Sequence, residues 1–138
     1  MTDITATTST TTTAAATTPA ATVIDRYLAA YGESDASTRR DLIVEVFTTD
    51  ATVTDPPLGG AGHDGIDAMF AAVQSQFADH TFRRTSAVDT HHDAARYEWD
   101  LVAADGTVSV TGTDFARFDD SGLITSIVGF FGPVPSDA

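Results

Sequence analysis

A chain of 138 residues with 42% hydrophobic content has the length and apolar fraction of one folded domain with its own core. The formal net charge is −13 and arginine supplies all seven basic positions, so the surface repels nucleic-acid phosphates and anionic membranes alike. With no cysteine and no apolar run near the length of a membrane span, neither disulfides, thiolate nucleophiles, cysteine–zinc sites nor a spanning helix is expected.

Residues 1–18 are rich in threonine and alanine and lack the basic and apolar regions of a secretory signal. They read as a disordered tail without a chemical role, and the folded domain is expected over residues 19–134, in the cytoplasm. Thr18 and Pro19 suit an N-cap and the first helical position. Val23, Ile24, Tyr27, Leu28 and Tyr31 then recur at helical spacing, and Gly32 reads as the stop. A second helix is predicted over residues 37–47, burying Leu42, Ile43, Val46 and Phe47.

A short strand follows at residues 51–55. Val53 and Asp55 are two apart, so both point to one face of it, and Pro56–Pro57 ends it. An apolar strand thus aims a carboxylate toward its own core. The glycine-rich stretch GGAGHDG reads as a loop leading into a third helix with the apolar stripe Ile66, Met69, Phe70, Val73 and Phe77. It lacks the lysine and Ser/Thr of a phosphate loop.

Strands are predicted over residues 80–89, 94–103, 107–119 and 123–131, separated by THHD, ADG and DDSG, breaks short enough for hairpins. Three helices before a four-strand meander indicate an α+β domain, helices on one face of a curved sheet. In the third of these strands Val108, Val110, Gly112, Asp114, Ala116 and Phe118 share a face, apolar except for Asp114. In its neighbour Ala95, Tyr97, Trp99 and Leu101 alternate with Arg96, Glu98 and Asp100. A carboxyl on a buried face either stays protonated or finds a hydrogen-bonding partner.

Tyr27, Asp55 and Asp114 therefore project from apolar faces of three different elements. Two carboxyls in different surroundings can take different protonation states. An ionised Asp55 near a loop mouth could act as a base, while a neutral Asp114 and the Tyr27 phenol donate hydrogen bonds. Such a set suits removal of a proton α to a carbonyl, with stabilisation of the enolate. Each residue also has a plainer reading. Tyr27 can be core filler, Asp55 a turn starter before proline, and Asp114 a structural ion-pair partner of Arg26, Arg83 or Arg84.

The stretches VIDRYLAAYGESD, FTTDATVTDPPLG and GTDFARFDDSGLITSI carry a resemblance over roughly residues 21–132. The chain resembles the NTF2-like superfamily, including its SnoaL-like members, and within it the ketosteroid isomerases in particular. That resemblance implies a cone-shaped α+β fold, three N-terminal helices packed on a strongly curved, mainly antiparallel sheet around a hydrophobic pocket. It also implies an isomerase that needs no cofactor and moves a double bond into conjugation with a ketone of the steroid type. Asp55 would be the catalytic base, with Tyr27 and Asp114 as the oxyanion-hole donors.

The pocket wall is expected to include Phe47, Val53, Met69 and Phe70. Val73, Trp99, Phe118 and one of Phe130 or Phe131 would complete it. Phe70 stands where some isomerases carry a tyrosine that supports the oxyanion-hole tyrosine. The expected partners are a small hydrophobic ketone and a second copy of the chain, joined through the outer face of the sheet.

A SnoaL-like polyketide cyclase, an epoxide hydrolase and a non-catalytic ligand binder are the alternatives. Arg96 and Asp100 with Asp114 come nearest to the hydrolases' water-positioning set, but strand parity turns Arg96 and Asp100 outward. His91, His92 and Asp93 read as a solvated turn and not as a metal site. His63 is expected to cap the third helix, near the cavity mouth.

Overall fold

The computed structural model describes residues 18–137, so the expected tail, apart from Thr18, lies outside the described residues. Helix α1 (Ala20–Tyr31) forms as its spacing dictates and buries Val23, Ile24, Tyr27, Leu28, Ala30 and Tyr31. Its N-cap is Pro19 and not Thr18, and no side chain caps it; Pro19 instead offers its carbonyl to the amides of Thr22 and Val23. Helix α2 (Ala36–Val46) is capped by Asp35, which accepts from the Thr38 amide at 2.9 Å. Its Arg39 is buried and donates to Asp67 at 2.7 Å and to the Glu33 carbonyl at 3.0 Å, fastening α2 to the third helix.

Phe47, expected at the end of α2, is instead the first residue of β1 (Phe47–Asp55). On β1 Phe47, Ala51, Val53 and Asp55 are buried, so Asp55 does face the core. Pro56 and Pro57 form the turn of a hairpin in which Asp55 opposes Leu58 at the start of β2 (Leu58–Ala61). The glycine-rich stretch is thus in part a strand. Helix α3 (Gly62–Gln76) follows and buries Ile66, Met69, Phe70 and Val73. His63 does not cap it, because its Nε2 lies 3.0 Å from the Phe47 carbonyl instead.

The strand expected over residues 80–89 divides into β3 (Thr81–Arg84) and β4 (Asp89–His91), both paired with β5 (Ala94–Val102). Strands β6 (Val108–Phe118) and β7 (Ile124–Phe131) complete the meander. The order is β2-β1-β7-β6-β5-β3, antiparallel except where β1 runs parallel to β7. Register shifts between Phe47 and Thr52, Leu101 and Val102, and Arg117 and Phe118 mark irregularities that bend the strands. The sheet curves without closing, and the three helices cover its concave face over one core.

Candidate active site

Three adjacent strands bring two carboxyls together. Asp114 on β6 pairs across the ladder with Gly129 on β7, and Thr54 pairs with Val128, so Asp55 lies beside Gly129 on its other flank. A Cβ at Gly129 would overlap Asp55 Oδ1 and lie 2.7 Å from Asp114 Oδ1. Both carboxyls therefore lean over the bare Cα of one glycine, in space that any other residue would fill.

Each carboxyl has its own donors. Tyr31 donates to Asp55 Oδ2 at 2.6 Å. Its ring is clamped between Phe70, stacked at 4.2 Å, and Phe82, stacked at 4.3 Å, so the hydroxyl is aimed before any ligand arrives. Tyr97, directly opposite Asp114 in the β5–β6 ladder, donates to Asp114 Oδ2 at 2.7 Å. Trp99 donates from Nε1 to Asp114 Oδ1 at 2.9 Å. It reaches there because its cross-strand partner is Gly112, where a Cβ would collide with the indole. Asp55 Oδ1 is buried and has no hydrogen-bond donor among the described residues.

A cavity of about 290 Å³ opens beside this pair, where the core ends. Tyr31, Asp55, Val73, Trp99 and Phe131 all line it, together with Phe82, Leu101 and Val110. Pro57, Leu58, Gln76 and Phe77 complete the wall, with Pro57 and Gln76 exposed. Tyr27 and Asp114 do not reach the cavity: both are 1% exposed and sit behind its wall. The Tyr27 ring packs edge-on against Phe47 at 5.7 Å, and neither carboxyl accepts from its hydroxyl.

Five residues expected in the pocket wall lie elsewhere. Phe47, Val53, Met69 and Phe70 are consumed by packing between the helices and the sheet. Phe118 sits beside Thr18, Ala20 and His92 around a separate depression near the start of α1. The reason is geometric: the core fills the space under the middle of the helices, and this cavity lies under the C-terminal turns of α1 and α3. Phe130 faces away from the cavity, with its ring edge-on to Phe115 at 6.0 Å.

No arginine approaches Asp114. Arg26 pairs with Glu45, Arg83 with Asp100 and Arg84 with Asp25, while Arg96 binds Asp89 on the outer face. Arg39, Arg40 and Arg117 are engaged with Asp67, Asp64 and Asp93, so all seven arginines form ion pairs. No grouping of His, Asp and Glu among the described residues suits a metal ion.

Burial pushes the Asp114 carboxyl up to about 7; the Tyr97 and Trp99 hydrogen bonds oppose the rise, and the Asp55 charge adds to it. Burial also raises Asp55, against the hydrogen bond from Tyr31. The repulsion between them is mutual but falls on Asp114, because the more exposed Asp55 ionises first. Burial, followed by the neighbouring carboxylates, holds Tyr27, Tyr31 and Tyr97 well above the usual phenol range, so all three remain donors.

Tyr31, Tyr97 and Gly129 carry this arrangement although sequence reasoning assigned them no role. Tyr31 had a signal: it lies four residues, one turn, beyond Tyr27 on the same apolar stripe. Tyr97 shared the inward parity that singled out Asp114. Gly129 had none beyond being a glycine inside a strand.

Helices on the concave side of an open curved sheet, with two inward carboxyls beside an apolar cavity, define a small α+β pocket protein. The SnoaL-like domain model matches residues 24–127, and the chain belongs to that family. A SnoaL-like family protein from Agrobacterium tumefaciens, named as a suggested isomerase, is 32% identical, with TM-score 0.77 over 82% of this chain and 97% of that one.

An NTF2-like protein of unknown function from an Exiguobacterium species is 24% identical, with TM-score 0.64 over 81% of this chain and 99% of that one. A protein from Sinorhizobium meliloti, named as a suggested polyketide cyclase, is 20% identical, with TM-score 0.61 over 78% of this chain and 93% of that one. The fold is NTF2-like. No protein with a curated description matches the sequence. No helix among the described residues is long and apolar enough to cross a membrane.

Proposed function

We propose that the protein is a cofactor-independent isomerase that moves a carbon–carbon double bond into conjugation with a ketone. One observation carries this reading. Asp55 stands in the wall of a mainly apolar cavity with Oδ2 held by Tyr31 and Oδ1 buried without an N–H or phenol donor among the described residues. A carboxylate so placed, raised by burial and short of donors, is a stronger base toward a carbon acid than a solvated one. The name of the Agrobacterium relative supports the same class of reaction.

In this mechanism Asp55 removes the proton from the carbon between the alkene and the carbonyl. The C–H electron pair spreads through a dienolate, and Asp55 returns the proton at the far carbon, so the product is an isomer of the substrate. Once Asp55 is protonated, its Oδ2 is a weaker acceptor, and the Tyr31 hydroxyl is free to donate to the dienolate oxygen. Asp114 acts from behind the wall by holding the Trp99 indole, and Tyr27 acts by packing its ring against Tyr31.

The substrate is a neutral, largely apolar ketone. All seven arginines are paired and the net charge is −13, so an anionic substrate has no free arginine to meet it. The volume, about 290 Å³, is at the small end for ligand pockets. A steroid Δ5-3-ketone would place its reacting ring inside and its remaining rings at the mouth.

The test is the rise of enone ultraviolet absorbance with β,γ-unsaturated ketones of one to four rings, wild type beside Asp55→Asn. Turnover that the variant lacks supports the reading, and a folded wild type inert toward the whole series removes it. Family membership equally supports a cyclase, in which the same carbanion attacks a carbonyl of its own molecule. Carbon-13 NMR of the product separates the two, since isomerisation keeps every carbonyl carbon and only moves the alkene, whereas cyclisation converts one carbonyl carbon to a carbinol carbon and forms a new carbon–carbon bond.

A further inference from the structure

We infer that Asp55 and Asp114 hold one proton between them over Gly129, so that the singly protonated pair, and not Asp55 alone, is the working base. The sharing of the proton stands on geometry by itself; its use in catalysis rests on the function proposed above.

The two Oδ1 atoms converge on one point, the position that a Cβ of residue 129 would take. Asp55 Oδ1 is the buried side-chain atom without a partner among the described residues, and the group leaning toward it is a carboxyl. A carboxylate cannot donate, but a carboxylic acid can. A protonated Asp114 therefore supplies the donor that Asp55 Oδ1 lacks, while still accepting from Trp99 and Tyr97.

The surroundings forbid two charges. Helix α1 presents Tyr31 to the pair and sets Tyr27 beside that ring, β5 presents Tyr97 and Trp99, and α3 adds the apolar Phe70, stacked on Tyr31, and Val73 in the cavity wall. All of these are neutral. Phenols and an indole can solvate one negative charge, but with no arginine at hand a second is uncompensated in a buried site.

The proton inventory closes on the proposed reaction. The pair begins with one proton and one charge. It takes the substrate's proton and becomes neutral while the dienolate carries the charge, and it regains its charge when the proton is returned. A doubly ionised pair would face the developing dienolate with two like charges and no acid. Activity is therefore expected to fall on both sides of a pH optimum, with Asp55 and Asp114 together setting both limbs.

The test does not need a substrate. The full-length protein is labelled with 13C at the aspartate carboxyl carbons and titrated by NMR, with fluorescence of the single tryptophan, Trp99, as a reporter on Asp114. In the wild type, Asp55 and Asp114 are expected to titrate in two shared steps, with the fluorescence following the upper one. In Asp114→Asn, Asp55 is expected to show a single step between the two. In Asp55→Asn, the Asp114 step is expected to fall by at least about one pH unit, because sites coupled by more than that titrate jointly.

Gly129→Ala forces the carboxyls apart and should bring the two steps together. Should that variant not fold, the two asparagine variants decide. If removal of either aspartate leaves the titration of the other in place, the shared proton is overturned, whatever the protein catalyses. Intact coupling in a protein inert toward every ketone would leave the pair standing and reject only the isomerase.

Discussion

Tyr31 meets Asp55 at 2.6 Å from the last turn of α1, while Tyr27, one turn earlier on the same stripe, reaches neither carboxyl. Aromatic rings stack on both sides of Tyr31, and the residue lines the cavity beside Asp55. Tyr31→Phe is therefore expected to lower kcat by about 100-fold, the scale of losing one aimed donor. Tyr27→Phe should cost less than about tenfold, through packing. Steady-state kinetics on the two variants check the order, and a larger loss for Tyr27→Phe would return the donor role to that residue.

Asp55→Asn keeps the size and the hydrogen bond with Tyr31 but removes the base. Turnover is expected to drop by about 10²- to 10⁴-fold, the usual contribution of a positioned general base. The melting temperature should not fall, since a buried amide needs less solvation than a buried carboxylate. Wild-type turnover in this variant would assign the chemistry to another group.

Stability should depend on pH through Asp114. Its folded-state value, about 7, lies above the ordinary 3.8, so between about pH 4 and pH 7 the folded chain holds a proton that the unfolded chain has released. Stability falls as pH rises through that window, by on the order of 4 kcal/mol, and levels off above it. Asp55, also raised by burial, adds to the same slope. Asp35, Asp105 and Asp119 are held low by local hydrogen bonds and give the opposite slope, below about pH 4. Urea midpoints at pH 5 and pH 8 read this out: the wild type should lose stability between them and Asp114→Asn should lose less. A wild type more stable at pH 8 would contradict the buried, neutral Asp114.

The outer face of the sheet carries Phe115 and Phe130 edge-on at 6.0 Å, with Val128 opposite Phe115 in the ladder. All three are exposed, Phe130 by 56%. A second copy covering this face would remove that surface from water. Sedimentation velocity is expected to show a homodimer that Phe115→Glu with Phe130→Glu converts to a monomer. A monomeric wild type would leave the face without this role.

The inward turn of Asp55 and Asp114 and the outward turn of Arg96 and Asp100 were legible in the sequence, because strand parity is a local property with a period of two. So were the three helices and the meander, set by apolar spacing and turn residues, and with them the α+β class. The partners of those carboxyls were not legible. Which tyrosine of α1 faces Asp55 depends on how far the helix slides along the sheet, and that is decided by packing against Phe70 and Phe82 from distant elements. Trp99 reaches Asp114 only because the β5–β6 register sets it against Gly112. Gly129 lies between the carboxyls only because β1 pairs in parallel with β7, a contact between the first strand and the last. Periodicity along the chain determines which face a side chain takes; what it meets there is set by register and packing, and those exist only once the chain has folded.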